Sequence, residues 1–284
     1  MQLALRIEAF AALGSVFRHF GKNLIAETLV TELHDAAIQA EIYNPWFTYR
    51  FTQQALANLG NELRTDKLHQ WVSHHNFHHT PNKPKRVGLI LAGNIPAVGF
   101  HDILSVLISG NIAVIKTSSK DNILITTILR ILLNIEPRFS HFIEISERIG
   151  QINAIIATGS DNSARYFEQY FGKYPNIIRK NRFSVGILCG DESPEELKNL
   201  AHDIFDYYGL GCRNVSKLYI PQGFDLSHVF QAMEEFRFLS DHNKYRNNFD
   251  YQQALYLLNM FPHHTNDFVL LRENPQDHSP IGVL

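Results

Sequence analysis

The sequence predicts an α/β protein: an open parallel sheet, a helical region before it and a second, smaller α/β domain after it. Three observations carry that prediction. From residue 87 onward, short β-branched apolar runs alternate with amphipathic runs of helical period, the rhythm of right-handed βαβ crossovers. The short runs are continuous rather than alternating, as in strands buried on both faces. Residues 1 to about 80 hold few strand signals and read as helical. The regions expected are 1–82, 83–205 and 206–284.

In order along the chain, 22–41 is an uninterrupted helical pattern, Asn44-Pro45 breaks it, and 52–59 and 66–72 resume it. His74, His75, His78 and His79 close this region. They could face a metal, but no carboxylate or cysteine stands at ligand spacing, so a solvated helix end is favoured and no metal is expected. Pro81-Asn82-Lys83-Pro84 is a linker. Strands follow at 87–92, 112–117, 142–145, 154–158 and 184–189, with helices at 98–109, 121–134 and 161–171. The next helix is the best marked. Ser193, Pro194 and Glu196 make a capping box with proline at the first helical position. Leu197, Leu200, Ala201, Ile204, Phe205 and Tyr208 form its apolar face, and Gly209 stands where a left-handed C-cap is wanted. After Cys212 come a strand at 217–221, helices at 225–239 and 250–260, and a strand at 268–272. The apolar end, 281–284, reads as the first half of another strand, so the last domain is expected to be incomplete at its C-terminus.

Lysine plus arginine is 26 against 28 acidic residues, which gives no electrostatic pull toward nucleic acid or an anionic membrane. Two cysteines, Cys189 and Cys212, make no disulfide framework and suit a reduced, cytoplasmic protein. The opening MQLALRIEAF is not a signal peptide. The most apolar runs, 87–100 and 123–135, are interrupted by Asn94 and Pro96 or by Arg130 and fall short of a membrane span.

Four places could carry chemistry. Cys212 follows a helix stop, lies between glycines on one side and Arg213 on the other, and can be approached and favoured as thiolate. A buried structural cysteine is an equally good reading of those residues alone. Asn94, in the loop after the first strand, could donate to an oxyanion or simply serve a turn. Lys116 ends a strand ahead of Thr117 and Ser118, which suits a ribose or phosphate as well as a solvated lysine. Thr158-Gly159-Ser160 ends another strand, where the glycine lets backbone amides approach a pyrophosphate. There is no GxGxxG. Cys189, flanked by Val185-Gly186-Ile187-Leu188, reads as core.

In order and spacing, four blocks resemble the long-chain acyl-CoA reductase (LuxC-like) family of the aldehyde dehydrogenase superfamily. They are VGLILAGNIPAVGF (87–100), SGNIAVIKTSS (109–119), IIATGSDNSARYF (155–167) and YYGLGCRNVSKLYIP (207–221). The resemblance spans roughly residues 40–284. It implies an aldehyde-dehydrogenase-like fold, with 83–205 binding the nucleotide and 206–284 the beginning of a catalytic domain. By resemblance Cys212 is the nucleophile, Asn94 the oxyanion-hole asparagine, Lys116 the lysine holding the adenosine ribose, and Thr158, Gly159 and Ser160 the cofactor loop. The implied reaction is NADPH-dependent reduction of a fatty acyl-CoA to the aldehyde through a cysteine acyl-enzyme, in a homo-oligomer or with an acyl-transfer partner. Two departures stand out. Ala164 replaces the second loop glycine, and the segment bearing the superfamily's water-activating glutamate falls at about 178–182, where Arg179 stands near the expected position. A site without that glutamate suits exchange with a thiol better than hydrolysis. The alternatives are a related acyl-phosphate or semialdehyde reductase, an inactive nucleotide-binding remnant, and a cysteine hydrolase using a histidine of 74–79.

Overall fold

The computed structural model describes residues 1–21, 28–75, 83–273 and 281–284. The chain forms two compact units, Met1–Asn181 and Arg182–Leu284.

The first unit opens with α1 (Leu3–His19), α2 (Thr28–Tyr43), α3 (Tyr49–Glu62) and α4 (Thr65–Ser73). Phe10 and Phe17 of α1 meet Phe100 edge-on at 6.3 and 5.8 Å between ring centres. The buried Arg6 guanidinium donates to the Ile108 carbonyl at 2.6 Å. The helical region expected as 1–82 therefore shares one core with the sheet that follows it.

That sheet has strands β1 (Arg86–Ile90), β2 (Ile112–Lys116), β3 (Ile143–Ile145), β4 (Ala154–Thr158) and β5 (Asn176–Arg179), all parallel, in the order β3-β2-β1-β4-β5. Helices α5 (Phe100–Ile108) and α6 (Asn122–Ile135) cross from β1 to β2 and from β2 to β3. Helix α7 (Asp161–Phe171) crosses from β4 to β5. Successive β2 residues serve opposite faces: Ala113 and Ile115 join the core shared with α1, while Val114 packs with Ile155 and Ala157 against Phe167 and Phe171 of α7. Burial on both faces is what the continuous apolar strands predict. The chain winds outward from β1 to β3 and then resumes on the far side of β1 with β4. The topological switch point, where such sheets bind ligands, thus lies between β1 and β4.

Two strands differ from expectation. β5 is absent from the predicted elements, because four residues on an exposed sheet edge carry little apolar signal. The strand expected at 184–189, β6 (Ser184–Ile187), lies outside this sheet and in the second unit. Only 180–183 separate it from β5, whereas a parallel neighbour needs a crossover of about a dozen residues.

In the second unit β6 pairs in parallel with β7 (Val215–Tyr219) through α8 (Pro194–Phe205), whose capping box forms as expected. Gly186 lets the Leu218 and Leu200 side chains pack close: a Cβ would come within 2.7 Å of Leu218 Cδ2 and 3.2 Å of Leu200 Cδ1, so both tips would have to shift. The opposite face of the pair carries Val185, Ile187 and Tyr219, all exposed. The unit continues through α9 (Leu226–Met233), a 3-10 turn (Glu234–Asp241), α10 (Asn243–Leu258), and the antiparallel pair β8 (His264–Thr265) and β9 (Leu270–Leu271). Val283 bridges to Leu270, so the apolar end is covered rather than loose. The division at Asn181/Arg182, instead of at 205, groups α8 with the Cys212 turn that it leads into. Among the described residues no helix is long and apolar enough to cross a membrane.

Candidate functional site

In the first unit, three of the predicted loops emerge from neighbouring strands at one edge of the sheet. Ile90 is the register partner of both Lys116 and Ala157, so the loops holding Asn94, Lys116 and Thr158–Ser160 leave the sheet side by side. Asn94 is half-buried in the turn between β1 and α5. A Cβ on Gly93 would collide with Ser118 Oγ and lie 2.7 Å from its Cβ, so the bare glycine lets the Asn94 loop rest on the loop after β2. Lys116 is exposed and makes no ion pair among the described residues. Ser118 caps the following turn by accepting from the Lys120 N–H at 3.3 Å, and Thr117 Oγ1 donates to Asn122 Oδ1 at 2.8 Å.

Ser160 is the N-cap of α7, its Oγ accepting from the Ser163 N–H at 3.3 Å. Gly159 departs from its expected use. Its N–H donates to the Arg179 carbonyl at 3.1 Å instead of standing open to a phosphate. The glycine serves close packing: a Cβ would meet Ser163 and Phe167 of α7 at 2.9 Å. A lone cation, an α-helix N-terminus and a switch point together suit a dinucleotide in kind.

Beneath the Asn94 loop lies a residue the sequence reading did not single out. Asp121, at the start of α6, is 2% exposed, and neither carboxyl oxygen has a hydrogen-bond partner of good geometry. Burial pushes its pKa well above the carboxylate range, opposed only by the Ala97 N–H. The folded protein thus keeps a proton that the unfolded chain gives up near pH 4, and stability falls as pH rises from there toward the raised value. Asp121→Asn removes the ionisable group. Its melting temperature is expected to gain on that of the wild type by several degrees between pH 4 and pH 8. Parallel melting curves for the two proteins across that range would contradict the assignment.

In the second unit, α8 ends at Phe205, three residues before the expected stop. Tyr207, Tyr208 and Gly209 then adopt left-handed backbone, φ 55°, 60° and 71°. For two tyrosines that costs about 1–3 kcal/mol each. The Tyr208 ring is buried against His242 and Tyr245, at 4.5 and 6.1 Å between ring centres, which holds the arrangement. A four-residue turn follows, closed by the Asn214 N–H donating to the Gly211 carbonyl at 3.0 Å. The Asn214 side chain clamps it twice. Its Oδ1 accepts from the Gly211 N–H at 2.7 Å, and its Nδ2 donates to the Asp203 carbonyl on α8 at 2.8 Å. Cys212 is the second residue of this turn, its thiol exposed and its N–H unpaired among the described residues. Of the two readings open in the sequence, the buried structural cysteine is excluded.

The sequence profile described as acyl-CoA reductase (LuxC) matches residues 50–223, more than half of the chain and every block just described. The chain belongs to the LuxC acyl-CoA reductase family. Solved structures similar to this LuxC-family chain include aldehyde dehydrogenases. KauB from Pseudomonas aeruginosa is 14% identical, with a TM-score of 0.62 over 84% of this chain and 51% of its own. A putative aldehyde dehydrogenase from Burkholderia cenocepacia is 15% identical, with 0.63 over 93% and 60%. An enzyme from Bacillus cereus, solved as its NAD+ complex, is 14% identical, with 0.59 over 83% and 50%. At such identities the likeness shows the fold, and this chain spans about half to three-fifths of their lengths. No curated protein shows significant sequence similarity to it.

Other expectations fall as follows. Cys189, expected in the core, is exposed: β6 stops at Ile187, and the Cys189 N–H is bound by the Glu192 carboxylate in a turn. His74 and His75 are exposed at the end of α4, while His78 and His79 lie outside the described residues. No group of histidine, cysteine and carboxylate side chains among the described residues could hold a metal. Ala164, which the resemblance sets in place of a second loop glycine, is fully buried in α7. Arg179 stands at the end of β5 with its guanidinium on the Asp102 carboxylate.

Proposed function

We propose that this LuxC-family chain reduces a long-chain fatty acyl-CoA to the aldehyde with NADPH, through an acyl-enzyme on Cys212. The observation that carries the reading is the Cys212 turn: an exposed thiol whose own N–H is unpaired among the described residues, on a backbone held by Asn214. The Cys212 thiolate attacks the thioester carbonyl carbon, and the bond to the coenzyme A sulfur breaks with its electron pair leaving on that sulfur. The Cys212 N–H is the donor at hand for the oxyanion formed on addition, and the resemblance assigns the Asn94 side-chain amide the same role, each typically contributing about 3–4 kcal/mol. A bound dinucleotide would supply the hydride to the carbonyl carbon of the enzyme thioester; the bond from that carbon to the Cys212 sulfur then breaks with its electron pair returning to the sulfur, and the aldehyde leaves. Lys116 and the Thr158–Ser160 loop are the residues to hold that dinucleotide. NADPH rather than NADH follows the family, with Lys116 and Lys120, both exposed, as the cations near enough in sequence to meet a 2′-phosphate. Across 178–182 there is no carboxylate, and Arg179 is held by Asp102, so nothing in that segment activates water against the acyl group.

Initial rates with tetradecanoyl-CoA and with the corresponding acyl phosphate test the reading, with free acid followed in the absence of nicotinamide. Aldehyde from the thioester, with no acid released, is expected. Preference for the acyl phosphate would make the protein a semialdehyde-type reductase, and nicotinamide-independent acid release would make it a hydrolase.

A further inference from the structure

Asp102 and Arg179 form an ion pair that the proposed reaction leaves without a role. Asp102 sits in the first turn of α5, the helix entered directly from the Asn94 loop, and its side chain is 10% exposed. Arg179 is the last residue of β5. Its Nη1 donates to both Asp102 oxygens, at 2.8 and 2.7 Å. The main chain of the same arginine reaches the other side: Thr158 is its register partner, and its carbonyl accepts the Gly159 N–H. One residue therefore grips the Thr158–Ser160 loop by its backbone and the helix behind the Asn94 loop by its side chain.

Two physical points argue for a positioning role over a purely stabilising one. An ion pair with one partner buried and the other more than a third exposed is a poor source of net stability, because solvent screens the attraction on one side and desolvation offsets it on the other. β5 is also an edge strand, paired on one side only by β4, so its carboxyl end has no second strand to fix it. A shift of that end would carry the Gly159 amide with it.

We propose that the Asp102–Arg179 pair is a positioning clamp that sets the spacing of the Asn94 loop from the Thr158–Ser160 loop across the switch point. What those loops hold rests on the function proposed above; that the pair fixes their spacing does not. The test compares the full-length wild type with Arg179→Gln, Asp102→Asn, their double variant, Arg179→Lys, and the exchange Asp102→Arg with Arg179→Asp. Melting temperature, NADPH dissociation constant by fluorescence titration and hydrogen exchange of the Gly159 amide are measured for each.

Each neutral single variant is expected to weaken NADPH about tenfold and to speed Gly159 exchange by a similar factor, measured well below its melting temperature. The double variant is expected to be no worse than either single, and Arg179→Lys or the exchange to recover part of the loss. Single variants that melt lower yet bind NADPH within about twofold of the wild type, or losses that add in the double variant, would overturn the clamp. If the wild type itself binds no NADPH, the proposed function fails, and Gly159 exchange decides alone. Faster exchange in both single variants supports the clamp, and unchanged exchange overturns it.

Discussion

Cys212→Ala is expected to abolish both covalent labelling by acyl-CoA and aldehyde formation, a loss of at least about a thousandfold. In the proposed reaction the sulfur is the atom that bonds to the acyl carbon, and nothing nearby in the turn can take its place: Gly211 has no side chain, Arg213 is a cation and Asn214 is committed to the clamp. The variant keeps the backbone that Asn214 holds, so the loss reports on chemistry and not on folding. Cys189 supplies the internal control. It is exposed as well, so a reagent that merely alkylates accessible thiols would mark both, whereas a substrate thioester is expected to mark Cys212 alone. Cys189→Ala should retain full labelling. Label that persists in Cys212→Ala would remove Cys212 from the role.

Asn94→Ala carries the second-largest expected effect, a fall in kcat of about a hundredfold with a much smaller change in KM. An amide donor aimed at a developing oxyanion acts in the transition state more than in the ground state, so its removal appears in kcat. The loop itself has other supports, Gly93 packed on Ser118 and the Phe100 N–H donating to the Ala97 carbonyl at 3.0 Å, so the alanine variant should keep its path. An effect confined to KM would instead make Asn94 a substrate-binding or loop residue.

Much of this arrangement is legible in the sequence because local rules and tertiary demands agree there. Asp161–Phe171 is predicted to the residue: Ser160 caps it and Phe167 and Phe171 lie on one face. Strand β4 and the capping box of α8 are equally clear. The failures share a different cause, namely that distant groups decide them. Left-handed Tyr207 and Tyr208 run against propensity and exist because the Tyr208 ring is buried on His242 and Tyr245. β5 is a strand only because β4 offers it an edge. Whether β6 extends the large sheet depends on counting the four residues before it. Cys189 looked buried because its flanks are apolar, yet the strand stops two residues short of it. At the candidate site, Asn94, Lys116, Ser160 and Cys212 sit on turns and strand ends whose punctuation is local. The groups behind them carry no local signal: Asn214 is one of many asparagines, and Asp121 and Asp102 look like ordinary first-turn acids until the fold buries them. Only the pairing across 77 residues gives Arg179 a partner.

The most direct test is a single-turnover experiment with radiolabelled tetradecanoyl-CoA on the full chain, without NADPH and then with it added. Label should accumulate on the peptide containing Cys212 to near one equivalent per chain at most, survive while nicotinamide is withheld, and leave as aldehyde once NADPH is supplied. A chain that takes up no label, or sheds it as free acid before any NADPH arrives, would contradict the account.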